Sequence, residues 1–122
     1  MGSVTEALNG FLLSRKAVIE NSENGAVTEK VLQQNWTFLI QNISTDESLL
    51  VDHLYEMNTV TINEMEVVRT QSPMRNKVVK LLEILQRKSP EAFHQFIEAL
   101  ERSNQSHIAH RLNESLEEEL RR

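Results

Sequence analysis

From Leu32 almost to the C-terminus, apolar residues recur at intervals of three and four, the spacing of helices that bury one face. The stripe Leu32, Trp36, Leu39, Ile40 and Ile43 predicts a first helix capped by Thr28. Leu50, Val51, Leu54 and Met57 form the apolar face of a second, opened by the capping box Ser44–Glu47, and Asn58-Thr59 breaks it. Thr61-Ile-Asn-Glu64 is another capping box, starting a short helix to about Thr70 with Ile62, Met65 and Val68 inward. Ser72-Pro73 and Ser89-Pro90 repeat one device, a capping serine before a proline whose missing N–H is no loss in the first turn. They predict helices over 73–87, with Met74, Val78, Leu81, Leu82 and Leu85 inside, and over 90–102, with Ala92, Phe93, Phe96, Ile97 and Leu100 inside. A last helix runs from Ser106 through Ile108, Ala109, Leu112 and Leu116 and fades into EEELRR.

Strand signals are missing, and three glycines with two prolines leave little punctuation for a sheet. The expectation is all-α: six helices on short connections, mostly antiparallel neighbours around one core spanning 28–122. Residues 1–27 are set apart as a leader. Val4, Leu8, Phe11 and Leu12 share a helical stripe, but Gly10 weakens it and ENSENGA at 20–26 has linker composition, so the leader is either loosely held or one extra helix.

The length of 122 residues fits one domain. The absence of cysteine excludes disulfides, a thiolate zinc site and a thiol nucleophile. Neither a bilayer-spanning run nor a secretory signal is present, so an intracellular, cytoplasmic protein with no membrane role is expected, and the Asn-x-Ser/Thr matches at Asn35, Asn42, Asn104 and Asn113 carry little weight. A net charge of −5 argues against nucleic acid as a partner.

Charge distribution says more than the total. Asp46, Glu47, Asp52, Glu56, Glu64 and Glu66 lie in a stretch without one basic residue, and Arg69, Arg75, Lys77, Lys80, Arg87 and Lys88 follow against the single acid Glu83. Two patches of opposite sign on different faces make heterologous contacts that propagate, in place of closed pairs.

Candidate chemistry is thin. Glu91-x-x-His94 is half of a di-iron motif, and His107-x-x-His110 with Glu114 aligns donors on one helix face, yet each lacks the further ligands a metal requires. No phosphate loop, nucleophile elbow or catalytic set appears, so neither catalysis, metal nor cofactor is expected. His53 beside Asp52 reads as surface, and Trp36 and Tyr55, within apolar stripes, read as core or rim.

The helix order, and above all LLEILQRKSPEAFHQFIEALERSNQSHI at 81–108, resembles the caspase recruitment domain of the death-fold superfamily. Arg87, Lys88, Ser89, Phe93 and Phe96 follow its basic turn and doubly aromatic helix, and LLVDHLYEMNTVTINEMEVV looks like its second and third helices. The resemblance covers about 28–116 and is nearest to initiator-caspase prodomains and their adaptors. It implies homotypic binding to other such domains, possible self-association, and a place in an oligomeric apoptotic or innate-immune signalling complex. It also implies a basic surface on the first and fourth helices, here Lys30, Arg75, Lys77 and Lys80, meeting an acidic one on the second and third, here Asp46, Asp52, Glu56 and Glu64. Lys30 is the only basic residue on the first helix, a departure from that pattern. Two alternatives stand beside this: a regulatory or decoy domain that caps assemblies, and a metal- or ligand-binding bundle built on His94, His107 and His110.

Overall fold

The computed structural model describes residues 22–45 and 48–122, so expectations for the leader before Ser22 and for Asp46 and Glu47 lie outside the described residues. Seven helices and no strand occur among them: α1 (Ser22–Gln34), α2 (Trp36–Asn42), α3 (Leu50–Glu56), α4 (Ile62–Arg69), α5 (Met74–Gln86), α6 (Pro90–Arg102) and α7 (Ser106–Arg121). The all-helical expectation holds, and the extra helix comes from a break in the first one.

α1 begins well before Thr28 and takes in part of the segment read as linker. Thr28 does not cap it; buried within the helix, its hydroxyl donates to the Gly25 carbonyl at 3.0 Å. The break at Asn35 has a tertiary cause. Asn35 leaves helical geometry at φ −106, ψ 12, and its side chain, in a residue only 3% exposed, is fully engaged. Its amide donates to Val31 O at 2.8 Å and to Ser115 Oγ at 3.1 Å, while its Oδ1 accepts from Arg111 Nε at 3.0 Å. The Arg111 guanidinium also lies 4.1 Å from the centre of the Phe38 ring, close enough for a cation–π contact. α7 therefore grips the first helical segment on both sides of its bend.

Two other helices end in one way. After α3, Asn58 adopts a left-handed φ of 61, with Thr59 N bonding Leu54 O at 2.9 Å and Asn58 N bonding Tyr55 O at 3.0 Å. After α6, Asn104 (φ 65) does the same, with Gln105 N on Leu100 O at 2.8 Å and Asn104 N on Glu101 O at 3.2 Å. These are Schellman closures with asparagine in the position glycine usually fills, and they satisfy carbonyls that a helix end would otherwise leave open.

The second closure sets the direction of Gln105, a buried residue that clasps the loop before α3. Its Oε1 accepts from Ser44 N at 2.8 Å, and its Nε2 donates to Ser44 O (3.1 Å), Ser48 Oγ (3.2 Å) and Ser103 Oγ (2.9 Å). With the Ser44 backbone held this way, the helix expected to open at Ser44 begins further along the chain. α3 starts at Leu50, whose N–H reaches Ser48 Oγ at 3.3 Å.

The Thr61–Glu64 box forms as expected, with Glu64 N on Thr61 Oγ1 at 3.1 Å and Thr61 N on Glu64 Oε1 at 2.9 Å. Ser72 is not a cap: α5 starts one residue later, after Pro73, and the Ser72 carbonyl is taken by Asn76 Nδ2 at 2.9 Å. Ser89 precedes Pro90 at the start of α6 as expected, without a side-chain cap bond.

α6 packs against α7 and α3, α1 against α7 and α6, and α4 and α2 against α5. Phe96, Leu39, Leu50, Leu54, Leu81, Leu82, Leu100, Ile108, Leu112 and Leu116 are fully buried at the centre. The period-3.6 reading holds for nearly every expected core residue. It fails at Ile62 and Met74, each the first residue of its helix and exposed, although the Met74 sulfur still accepts from the Thr45 hydroxyl at 2.9 Å. Tyr55, expected in core or rim, is exposed as well, whereas Trp36 is half-buried against the core.

Candidate functional site

The charged residues occupy three distinct settings. On α5, Val78, Leu81, Leu82 and Leu85 turn inward, leaving Lys77 and Lys80, one turn apart, toward the outer side with the exposed Arg75. Lys77 and Lys80 are half-buried, as expected of long side chains whose methylenes lie along the helix surface.

On α3 and α4, two of the carboxylates are joined to cations of the same chain. Asp52 pairs with Arg69 from the last turn of α4, and Glu64 pairs with Lys88 at 2.9 Å from the turn between α5 and α6. Burial would raise the Glu64 carboxyl, but the Thr61 N–H and the Lys88 ammonium outweigh it and hold the group below its ordinary value. Glu56 is largely exposed and lies 3.2 Å from His53 Nδ1. Asp52, Arg69 and Lys77 together line a depression of about 270 Å³, with Thr45, Leu49 and Val51 as the rest of its wall. The sequence separates acidic from basic residues along the chain, but the fold mixes them here.

Lys30, the basic residue assigned to the first helix, reaches Glu119 of α7 at 3.3 Å. Glu119 also accepts from Gln34 Nε2 at 3.1 Å, and its side chain is only 6% exposed. The Gln34 amide, together with the Lys30 and Arg122 cations, holds its carboxyl below the usual range against the opposing effect of burial. Lys30 is therefore partly absorbed into the α1–α7 seam. Asp46 lies outside the described residues.

The histidines do not assemble. His107 and His110 are exposed on α7, His110 pairs with Glu114 at 2.8 Å, and His94 sits on α6. Among the described residues no three His, Asp or Glu side chains gather as a metal-ligand group. Nor is any described helix long and apolar enough to cross a membrane.

Sequence reasoning missed the partners that hold these charges. Arg69 was visible as a basic residue ending an acidic stretch, which is the one available signal for its pairing with Asp52; nothing local announced Lys88 on Glu64 or Glu119 on Lys30.

The family model for the caspase recruitment domain matches residues 29–115, nearly the whole described bundle. Among individual proteins, caspase-2 of Gallus gallus is 30% identical over 81 residues, which amount to 66% of this chain and 19% of the length of that caspase. The break at Asn35, the helix order and the doubly aromatic α6 all fall within the matched stretch, and the chain belongs to the caspase recruitment domain family.

Proposed function

We propose that this domain is a homotypic docking module that brings other caspase recruitment domains into an oligomeric apoptotic or innate-immune signalling complex in the cytoplasm, and that it performs no catalysis itself. The observation that carries the reading is the family match over the folded unit: such domains act by binding one another. The outer side of α5, with Arg75, Lys77 and Lys80, is the proposed basic contact surface, with Lys30 at its margin. Asp46, Asp52, Glu56 and Glu64 form the proposed acidic one. Partners are initiator caspases or their adaptors, and a second copy of this chain. Charge complementarity would act mainly on encounter rate and specificity, so binding weakens with salt.

Lys80 and Glu56 make the cleanest test, since neither shares the depression where Asp52 and Lys77 meet. Light scattering of the whole chain should show self-association at low salt that K80E or E56K alone abolishes and that returns on mixing the two variants. Association indifferent to both reversals refutes the patch assignment. A chain that stays monomeric at every concentration supports instead the capping reading, which one observation favours: Lys30, Asp52 and Glu64 are already engaged within the molecule.

A further inference from the structure

The acidic surface on α3 and α4 contains a cation of its own. Arg69 and Asp52 are 17 residues apart in sequence, and they meet at the surface with side chains 47% and 40% exposed. Such a pair is weak and exchangeable: held in water, it contributes little and gives way to a competing cation of better geometry. The Lys88–Glu64 pair differs, because the Glu64 carboxylate also closes the α4 capping box and is committed to the fold. Asp52 lends its charge to the first turn of α3, a duty that does not require the pair with Arg69. The Arg69 guanidinium thus occupies the place a partner's arginine or lysine would take, beside an apolar lip formed by Leu49, which is 55% exposed, and above the depression both residues line. Lys77 lines that depression too and remains when Arg69 is removed.

We propose that Arg69 is a specificity-determining residue of the acidic face: an internal stand-in for the partner's cation that must leave Asp52 before a basic surface can dock there. This rests on the docking function proposed above and adds a threshold to it. A partner offering a single lysine, a point charge without a planar fork, exchanges poorly with a guanidinium, whereas one offering an arginine exchanges on equal terms. The residue therefore selects among basic partners as well as weakening all of them.

The test uses a hexa-arginine peptide titrated into the full chain at low ionic strength, with local affinity read from the amide shifts of Asp52 and His53. R69Q should tighten binding there about two- to fivefold, the factor set by losing one exposed ion pair. R102Q serves as the control, because it removes the same charge from an equally exposed pair, Arg102 with Glu98 on α6. It should give only the small gain due to net charge. In a D52N background R69Q should add no more than R102Q does. If R69Q disturbs the fold, R69K keeps the charge at the helix end, loses the fork and should show a smaller gain in the same direction. Equal gains from R69Q and R102Q, or a gain from R69Q that survives D52N, overturn the proposal. Failure of the docking reading looks different: the peptide result holds, but the Lys80 and Glu56 reversals leave self-association unchanged.

Discussion

Replacing Gln105 by alanine removes four hydrogen bonds at one stroke, and the structure sets what that costs. Two of the four go to the backbone N–H and C=O of Ser44, a half-buried residue that water reaches only in part. Each such bond contributes about 1 kcal/mol net, and a group left unsatisfied costs about 1–3 kcal/mol. The Ser103 hydroxyl keeps its own bond to Leu100 O at 3.1 Å, so its loss is small. The expected cost of Q105A is therefore about 2–3 kcal/mol, or a fall in Tm of roughly 8–12 °C at about 4 °C per kcal/mol for a chain of 122 residues. Urea unfolding followed by circular dichroism measures the free energy, and amide exchange at Ser44 shows whether the loop opens locally. Q105E sharpens the reasoning: a carboxylate still accepts from Ser44 N but meets Ser44 O with a lone pair, so it should be at least as damaging at neutral pH. A loss below about 0.5 kcal/mol with Ser44 still protected would falsify the claim that this clasp fixes the loop before α3.

Other expectations follow from the same geometry. N35A should cost about 2 kcal/mol despite the higher helix propensity of alanine, and a double-mutant cycle with R111A should return a coupling near 1 kcal/mol in denaturant titrations; additive losses would mean the bend does not depend on α7. T61A should destabilise by about 1 kcal/mol while S89A stays within about 0.5, because only Thr61 makes a cap bond; equal losses in thermal melts would contradict that contrast. The Glu64 and Glu119 carboxyls are both held below their ordinary values, so the folded protein resists protonation there more than the unfolded chain does. Their stabilisation is complete above the ordinary carboxylate range and fades as pH falls through their lowered values. Urea midpoints taken from pH 6 down to pH 3 should therefore drop, and the E119Q variant should start lower and drop less steeply; a parallel curve for E119Q would remove Glu119 from the account.

What could be read from the sequence was whatever is local. The Thr61–Glu64 box, the start of α6 at Pro90 and the apolar faces of α5, α6 and α7 depend on residues a few positions apart, and they appear as expected apart from the exposed Met74 and the missing Ser89 cap bond. The bend at Asn35 was not legible, because the apolar stripe from Leu32 through Trp36 to Leu39 passes straight across it. The cause is Arg111 and Ser115, 76 and 80 residues away. The Ser44 loop was misread for the same reason, its fate being decided by Gln105 at a separation of 61. α1 starts early because packing on α6 and α7 overrides the weak helix propensity around Gly25. For the charged surface, sequence showed which helix bears each residue but not the cross-helix pairs Asp52–Arg69, Glu64–Lys88 and Lys30–Glu119, which side-chain reach in three dimensions decides.

The joint at Asn35 has one practical consequence. The chain's sole tryptophan, Trp36, is the next residue, half-buried against the interior. Its emission is therefore an intrinsic optical gauge of that joint. A red shift that precedes the loss of helical ellipticity would report α7 letting go of the first segment while the remaining helices still hold together.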